Sequence, residues 1–194
     1  MPEPEAVDFL KTKVRGTVFD IGANYGWYSL IFSGWANVVY SFEPIPSTYK
    51  ELTDNIALNE SKNIIALNSA LGNRNEDVEF FCPDVARGSA IASEHNYFGK
   101  KVKVCMTTLD DFMKKYSISG VDFIKIDVEG GELNMLKGAE KTLRSFHPDL
   151  FLEIESRHAE RFGYKSADIF NYLASLGYES REQVENMVYF KSIQ

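Results

Sequence analysis

The stretch over residues 18–30, Val-Phe-Asp-Ile-Gly-Ala-Asn-Tyr-Gly-Trp-Tyr-Ser-Leu, constrains the fold more than any other part of the chain. Its first four residues have the apolar, β-favouring character of a buried strand, apart from Asp20. Gly22 and Gly26 then bracket a short turn, where a ligand can approach the backbone closely. The stretch therefore predicts a strand, a glycine turn and a helix packed on a sheet, with an anion site at the start of the helix.

The glycine turn does not have the pattern of a dinucleotide fingerprint. In G-x-G-x-x-G the second and third glycines would fall at Asn24 and Trp27. Asp20 would also repel a pyrophosphate, but it suits a ligand with an ammonium group beside a carboxylate, such as the amino-acid end of S-adenosylmethionine. We expect Asp20 to bind the ammonium group, directly or through water, and the loop amides to bind the carboxylate. The alternative is a plain strand–turn–helix in which Asp20 caps the turn.

A second acid, Glu43, follows Asp20 at a spacing that is typical of a ribose-binding residue. Glu43 ends the second predicted strand, residues 37–43, and lies 23 residues after Asp20. An acid about 20 residues past the glycine loop can accept hydrogen bonds from both hydroxyls of an adenosine ribose. The alternative is an exposed acid at the end of a surface strand. Together with the Asp20 loop, Glu43 favours a ribose contact.

Composition excludes several classes of protein. The 194 residues suit one domain, and the net charge of −7 without a basic run argues against a nucleic-acid surface. The acidic, proline-containing start is a poor signal peptide, and no apolar run is long enough to span a bilayer. We expect a single cytoplasmic domain over residues 1–194, with no nucleic-acid partner, no membrane insertion, and an exposed arm or short helix over residues 1–16. Cys82 and Cys105 are interpreted as reduced packing residues.

The middle of the chain departs from a simple alternation of strands and helices. A third strand over residues 64–69 places Ser69 and Ala70 just past its carboxyl end, where they can contact an adenine. Strand-like runs at 78–82, 89–93 and 101–106 then predict a β-insertion over residues 78–106. Thr108 or Thr107 caps the helix that follows, with acids favouring its positive end.

Two later strands carry buried or clustered charge. Over residues 121–128, alternation places Lys125, Asp127 and Glu129 on one side of a strand that is expected to be apolar on both faces. Such charges need each other or a ligand, so a structural Lys125–Asp127 pair stays open beside a functional role. In the fifth strand, residues 148–155, Glu153 and Glu155 share a face.

His158 follows these acids directly. A carboxylate with a nearby histidine can deprotonate an alcohol or bind a divalent ion. One histidine beside acids does not make a metal site, so no metal ligand is assigned. We interpret His158 as part of a solvated helix start. A helix over 166–176 and an antiparallel hairpin from 178–181 and 187–190 close the sheet.

At this point the residues carry a family resemblance. The order of elements, the closing hairpin and the pattern Asp20-x-Gly22-x-Asn24-x-Gly26 resemble class I S-adenosylmethionine-dependent methyltransferases. The chain resembles the FkbM-type family more narrowly in four segments: Phe-Asp-Ile-Gly-Ala-Asn-Tyr-Gly at 19–26, Phe-Glu-Pro at 42–44, Thr-Leu-Asp at 108–110 and Ile-Lys-Ile-Asp-Val-Glu-Gly at 124–130. The resemblance spans residues 18–155.

The resemblance implies a Rossmann-like α/β fold. Its seven-stranded, mostly parallel sheet has the order 3-2-1-4-5-7-6, with strand 7 antiparallel, helices on both faces and a small β-insertion between strands 3 and 4. It also implies methyl transfer from S-adenosylmethionine to a hydroxyl of a small molecule or a sugar-containing metabolite. Compared with fuller family members the chain has little sequence before its first strand, so the insertion around residues 88–99 is expected to form one wall of the acceptor pocket.

The resemblance further assigns roles by position. The donor-binding residues it implies are Asp20, Gly22, Ala23, Asn24, Gly26, Glu43, Pro44, Ser69, Ala70 and Asp127. Methyl transfer needs an alcohol aligned behind the sulfonium methyl and a base for its proton. Asp127 is the leading candidate for that base or for an acceptor anchor, with Glu129 and Glu153 next.

Three other functions stay open. The protein could bind a nicotinamide dinucleotide, although the missing glycines and Asp20 speak against it. It could be a non-catalytic Rossmann-like nucleotide-binding module, although the set of Asp20, Gly22 and Glu43 is intact. It could methylate RNA, but the acidic composition and the lack of an aromatic, basic strip disfavour this. The residues do not identify the acceptor.

Overall fold

The strand predicted before the glycine turn lies at the centre of the main sheet. The computed structural model of the chain describes residues 4–82, 100–184 and 186–193, and within them ten strands and eight helices form. The strands are β1 (Thr17–Ile21), β2 (Val38–Phe42), β3 (Ile64–Leu67), β4 (Ala70–Leu71), β5 (Glu76–Cys82), β6 (Lys100–Thr107), β7 (Phe123–Ile126), β8 (Asp149–Glu153), β9 (Tyr178–Val184) and β10 (Met187–Ser192). The helices are α1 (Pro4–Lys11), α2 (Trp27–Ser33), α3 (Pro46–Leu58), α4 (Leu109–Lys115), α5 (Glu132–Lys137), α6 (Glu140–Phe146), α7 (Ser156–Arg161) and α8 (Ser166–Ser175).

The main sheet has the order β3-β2-β1-β7-β8-β10-β9. The pairs β3–β2, β2–β1, β1–β7 and β7–β8 are parallel, whereas β10 pairs antiparallel with both β8 and β9. With the side-sheet strands set aside, this is the predicted order 3-2-1-4-5-7-6 with an antiparallel strand 7. The predicted fold class is therefore confirmed.

Helices cover both faces of the main sheet because its central strands are apolar on both. Phe19 and Ile21 of β1 pack into a core that includes residues of α4, α5, α6 and α8. Val18 points the other way, into a second core that contains Leu10 of α1 and Phe32 of α2. The carboxyl ends of the parallel strands are left as the edge where loops meet.

Residues 4–11 of the predicted arm or short helix are helical and partly buried. Residues 4–11 form α1, and Ala6 and Leu10 are buried, so of the two predicted alternatives the helix forms. Phe9 also packs edge-on against Tyr189, at 5.2 Å between ring centroids. The helix thus covers one end of the sheet.

The predicted β-insertion forms a three-stranded side sheet of order β4-β6-β5. β4 pairs with β6 in parallel and β5 pairs with β6 antiparallel. The side sheet begins earlier than predicted, because Ala70 and Leu71 pair with Met106 and Thr107. The expected strand at 89–93, and the pocket wall expected around residues 88–99, lie outside the described residues.

Two further sequence expectations meet the structure here. Cys105 is exposed, so its interpretation as a packing residue is wrong: it lies on the outer face of β6, between the buried Val104 and Met106. Searching the described part of the chain for a helix long and apolar enough to cross a bilayer gives none. The side chain of Cys82 lies outside the described side chains.

Candidate active site

A cavity of about 250 Å³ lies between the carboxyl ends of the parallel strands and the side sheet. One wall follows the main sheet, and the opposite wall is largely apolar and comes from β4, β5, β6 and the turn between β4 and β5. The main-sheet wall includes Ile21, Gly22, Asn24, Phe42, Glu43, Pro44, Asp127, Val128 and Glu129. The side-sheet wall includes Ser69, Ala70, Leu71, Val78, Phe80 and Met106, and Phe162 adds an edge.

The glycine turn is shaped by its own hydrogen bonds. Gly22 has φ +76°, and the amides of Gly22 and Ala23 both donate to the carbonyl of Phe42, at 3.0 and 2.9 Å. The Asn24 amide donates to Oε2 of Glu43, and the Gly26 amide donates back to Ala23. These four amides are therefore already engaged, and the predicted contact with the donor's carboxylate finds no free donor among them.

Asp20 lies behind the cavity rather than on its wall. The side chain is fully buried, and its Oδ2 accepts a 2.6 Å hydrogen bond from Ser29, which in turn accepts one from Ser41. Its Oδ1 lies 3.3 Å from Nζ of Lys125. Asp20 thus holds α2 against β1, and its partners are groups of the protein itself.

Lys125 links Asp20 to the cavity wall. Its Nζ donates to the carbonyl of Gly22 at 2.9 Å and lies 3.5 Å from Oδ2 of Asp127. Burial alone would lower the pKa of Lys125, but the charges of Asp20 and Asp127 outweigh it, so the pKa is raised and the ammonium stays charged. The predicted Lys125–Asp127 pair is present, and Lys125 holds β1, the glycine turn and β7 in one arrangement.

Glu43 presents a buried carboxylate on the cavity wall. Oε1 accepts from the Ile45 amide at 2.9 Å and Oε2 from the Asn24 amide at 3.0 Å. A carboxylate has about four acceptor sites, so lone pairs remain for two more donors. Burial raises the pKa of Glu43 to about 7, against the lowering effect of these backbone bonds. Pro44, Ser69 and Ala70 line the cavity with it.

The three predicted catalytic acids come together beyond β7 and β8. Asp127 and Glu129 line the cavity, whereas Glu153 is set back and hydrogen-bonds with Asp127. Burial, the neighbouring charge of Asp127 and this hydrogen bond raise the pKa of Glu153 to about 8. Glu153 therefore holds a proton at higher pH than an ordinary glutamate does.

The turn that carries Glu129 is tied down from below. Glu129 has φ 54°, in the left-handed region, and Gly130 has φ +110°. Buried Glu132, at the start of α5, accepts from the amides of Val128 and Gly130 at 3.3 and 3.0 Å. The Tyr164 hydroxyl lies 3.0 Å from Oε2 of Glu132. These contacts fix the direction of the Glu129 side chain.

The interpretation of His158 as a solvated helix start is wrong. Its side chain, on α7, is only 8% exposed, because α7 packs over the turn at Gly130. Nε2 lies 3.3 Å from Oε2 of Glu129, and Nδ1 lies 3.9 Å from Oε2 of Glu153. No cluster of three or more His, Cys, Asp or Glu side chains with metal-binding geometry occurs among residues 4–82, 100–184 and 186–193.

Sequence reasoning missed the apolar wall and the buried histidine. Val78 and Phe80 alternate along β5, so the sequence signals that one face of this strand is apolar. It does not signal that this face turns toward Glu43, since that depends on the pairing of β4 with β6. Phe162 carries no signal at all, because it follows a short helix whose docking is set by tertiary contacts.

Comparison with known proteins gives a consistent match. The family model for the methyltransferase FkbM domain matches residues 20–180. Hexuronic acid methyltransferase AglP of Haloferax volcanii is 30% identical over 129 residues, which cover 66% of this chain and 52% of AglP. Methyltransferase sdnD of Sordaria araneosa is 28% identical, over 64% of this chain and 60% of sdnD. The chain therefore spans a little over half the length of these curated relatives.

Solved structures show the same fold. The methyltransferase FkbM of Methylobacillus flagellatus superposes with a TM-score of 0.63 at 20% identity, over 90% of this chain and 43% of that one. A Streptococcus mutans protein, crystallised in complex with SAH, superposes with a TM-score of 0.60 at 11% identity, over 100% of this chain and 99% of that one. At these identities the similarity speaks for the fold alone.

Proposed function

Because the chain belongs to the FkbM family of methyltransferases, we propose that it transfers a methyl group from S-adenosylmethionine to a hydroxyl oxygen of a small-molecule or sugar-containing acceptor. One observation carries the proposal. The family's motif residues Gly22, Asn24, Glu43, Asp127 and Glu129 meet on one wall of a single cavity. That cavity lies at the carboxyl ends of parallel strands, where open α/β sheets bind their ligands.

The residues of the cavity fit the methyl donor. Glu43 keeps free lone pairs for the two ribose hydroxyls, and its charge disfavours a 2′-phosphate. Ser69 and Ala70 would contact the adenine edge. Gly22 lies where the methionine part would pass. A Cβ atom at this position would lie 1.8 Å from the carbonyl oxygen of Asp127, so the turn can pack this closely on the end of β7 only with a glycine.

The chemistry required of the protein is alignment and proton removal. The bound donor supplies an electrophilic methyl group on a sulfonium. Asp127 and Glu129 stand together on the wall and offer carboxylate oxygens to an acceptor hydroxyl. Alignment of the two reactants supplies most of the acceleration, and a carboxylate base adds about 10²-fold or more.

A sugar acid is the acceptor that two observations favour. The relative AglP is a hexuronic acid methyltransferase. On the cavity wall itself, Arg74 is the cation among the described lining residues; its side chain is 67% exposed, and its Nε pairs with Glu76 at 2.7 Å. An arginine there can bind the carboxylate of a uronic acid. The cytoplasmic location expected from the sequence stays a prediction.

Calorimetry with S-adenosylhomocysteine tests the donor site first. We expect micromolar binding, no comparable binding of NAD, and a loss of about tenfold or more in Glu43→Ala, since two ribose hydrogen bonds disappear. Glu79→Ala, at an exposed acid paired with Lys101 on the side sheet, is the matched control and should bind normally. Failure to bind, or preference for NAD, would point instead to a nucleotide-binding module without methyltransferase activity.

Transfer of an isotope-labelled methyl group then tests the acceptor. Methyl β-glucuronide is compared with methyl β-glucoside, which has the same hydroxyls except that its 6-position is an alcohol instead of a carboxylate. We expect the glucuronide to be methylated faster, and Arg74→Gln to remove that preference. Each assay is run with and without a chelator.

A further inference from the structure

The two carboxylates on the cavity wall differ in what already contacts them. Asp127 lies 3.5 Å from the Lys125 ammonium and shares a hydrogen bond with Glu153. Its negative charge and part of its acceptor capacity are therefore used inside the protein. Such a group can orient a hydroxyl, but it is poorly placed to carry away a proton.

Glu129 is held differently. It keeps a left-handed backbone, φ 54°, which a residue other than glycine adopts only when its surroundings impose it. Glu132 and Gly130 impose it here. The result is a side chain that lines the cavity while its Oε2 lies 3.3 Å from Nε2 of His158. Its side chain is 30% exposed and that of Asp127 is 33% exposed, so both carboxylates are open to an acceptor and their contacts distinguish them.

Because the His158 side chain is buried, its ring contacts groups of the protein instead of solvent. Its ring faces three acids: Glu129, Glu153 at 3.9 Å and Glu155 at 3.7 Å. Arg157 is the nearby cation, and it pairs with Glu155. The ring therefore bridges the carboxylate on the wall and the acids behind it.

On the basis of the proposed methyl transfer, we infer that Glu129 is the catalytic base and His158 its positioning residue. As the acceptor oxygen bonds to the methyl carbon, its proton passes to Glu129, and the electron pair of the broken carbon–sulfur bond stays on sulfur as a neutral thioether. His158 holds Glu129 toward the acceptor and stabilises its carboxylate before transfer. Asp127 anchors the same hydroxyl.

The electrostatic surroundings agree with this assignment. Burial raises the pKa of Glu129, the charge of His158 lowers it, and Asp127, Glu155 and Glu132 raise it. A carboxylate with a raised pKa accepts a proton more readily than an ordinary one. Removing the His158 charge should raise this pKa further.

The first test measures the effect of His158 on the pKa of Glu129, in the absence of methyl donor and acceptor. The carboxyl groups of the protein are titrated by ¹³C NMR in wild type, His158→Gln and His147→Asn, and the Glu129 signal is identified by its loss in Glu129→Gln. We expect the Glu129 midpoint to move to higher pH in His158→Gln only. His147 is the matched control, because it precedes the opposite end of β8 and contacts Ser192. An unchanged midpoint in His158→Gln would overturn the pairing.

The role in turnover is tested by pH profiles of labelled methyl transfer to methyl β-glucuronide. We expect Glu129→Gln to lower kcat about 100-fold or more, and Asp127→Asn about tenfold, with S-adenosylhomocysteine affinity kept in both. His158→Gln should move the acid limb to higher pH and recover at alkaline pH, whereas a merely structural role would lower activity at every pH.

The outcomes separate the two proposals. A wild-type protein that binds S-adenosylhomocysteine but methylates neither sugar would overturn the proposed acceptor reaction, and with it the role of Glu129. An active wild type with an equally active Glu129→Gln, or with Asp127→Asn as the more damaging change, would overturn this inference alone.

Discussion

Gly22 shows how closely one residue can bring the glycine turn to the end of β7. Its φ of +76° is a conformation that glycine adopts without cost, and a Cβ atom there would lie 1.8 Å from the carbonyl oxygen of Asp127. Gly163 has a similar φ of +75°, yet nothing lies within 4 Å of its Cβ position. A comparison of Gly22 with Gly163 therefore distinguishes the cost of a left-handed backbone from the cost of a steric collision.

We therefore expect Gly22→Ala to destabilise the protein by about 3 kcal/mol or more, and Gly163→Ala by only about 1 kcal/mol. Urea unfolding measures both. Gly22→Ala should also lose S-adenosylhomocysteine binding, because the turn must shift away from Asp127. Equal destabilisation by the two substitutions would mean that strain, rather than the close approach to Asp127, explains the glycine.

At the scale of single residues, the sequence predicted which residues would gather but not what each would face. The spacing of Gly22, Glu43 and Asp127 follows from strand ends that share one edge, so their meeting could be predicted. The partners of Asp20 could not, because Lys125 lies 105 residues away and the pair depends on the register of β1 with β7. The burial of His158 could not be predicted either, because it depends on how α7 packs over the turn at Gly130.

At the scale of elements, Asp110 explains why α4 and α6 pack together. Thr108 caps its own helix by accepting from the Asp111 amide at 3.1 Å. Asp110 reaches across instead: its carboxylate accepts from the amides of Lys141 and Thr142, at 3.1 and 2.8 Å, and from the Thr142 hydroxyl. The first turn of α6 is therefore capped by another helix.

Replacing Asp110 by alanine should lower the free energy of unfolding by about 2 kcal/mol, because two helix-start amides lose their acceptor. Asp54→Ala is the matched control. Asp54 lies on exposed α3 in a surface pair with Lys50, and such pairs contribute about 0.5 kcal/mol or less. A loss at Asp110 no larger than at Asp54 would show that this cap is dispensable.

Element boundaries were predicted best where local signals are strong. The helix predicted after the glycine turn forms as α2, and Gly26 and Gly34 flank it on both sides. By contrast α6 was not foreseen. No side chain of its own caps its start, and the acceptor Asp110 lies on a distant segment.

For the whole molecule, buried acids make stability depend on pH. The pKa of Glu43 is raised from an ordinary 4.5 to about 7, and that of Glu153 to about 8. Between the ordinary pKa of 4.5 and these raised values, the folded protein therefore binds more protons than the unfolded chain. The stabilisation is fully present below the unfolded pKa and is lost as pH rises through the folded pKa.

Unfolding in urea at about pH 5.5 and about pH 8 should reveal this loss, with Glu43 contributing about 2 kcal/mol of it. In Glu43→Gln that contribution is absent, so the variant should gain about 2 kcal/mol relative to wild type between the two pH values. Glu79→Gln, at an exposed acid, should keep the wild-type pH dependence. If the stability of Glu43→Gln depended on pH as strongly as that of wild type, this would contradict the raised pKa of Glu43.

The parallel pairing of β4 with β6 has one more consequence. Ala70 and Met106 are partners in that pairing, so the chain leaves the main body and returns to it at neighbouring points. A segment whose ends already meet can be exchanged for a longer or shorter one without changing the span that the remaining chain must bridge. The side sheet supplies one wall of the cavity, while Glu43 and Asp127 belong to the other. The fold can therefore keep the wall with the residues proposed to bind the nucleotide constant, while the length and sequence of the opposite wall vary.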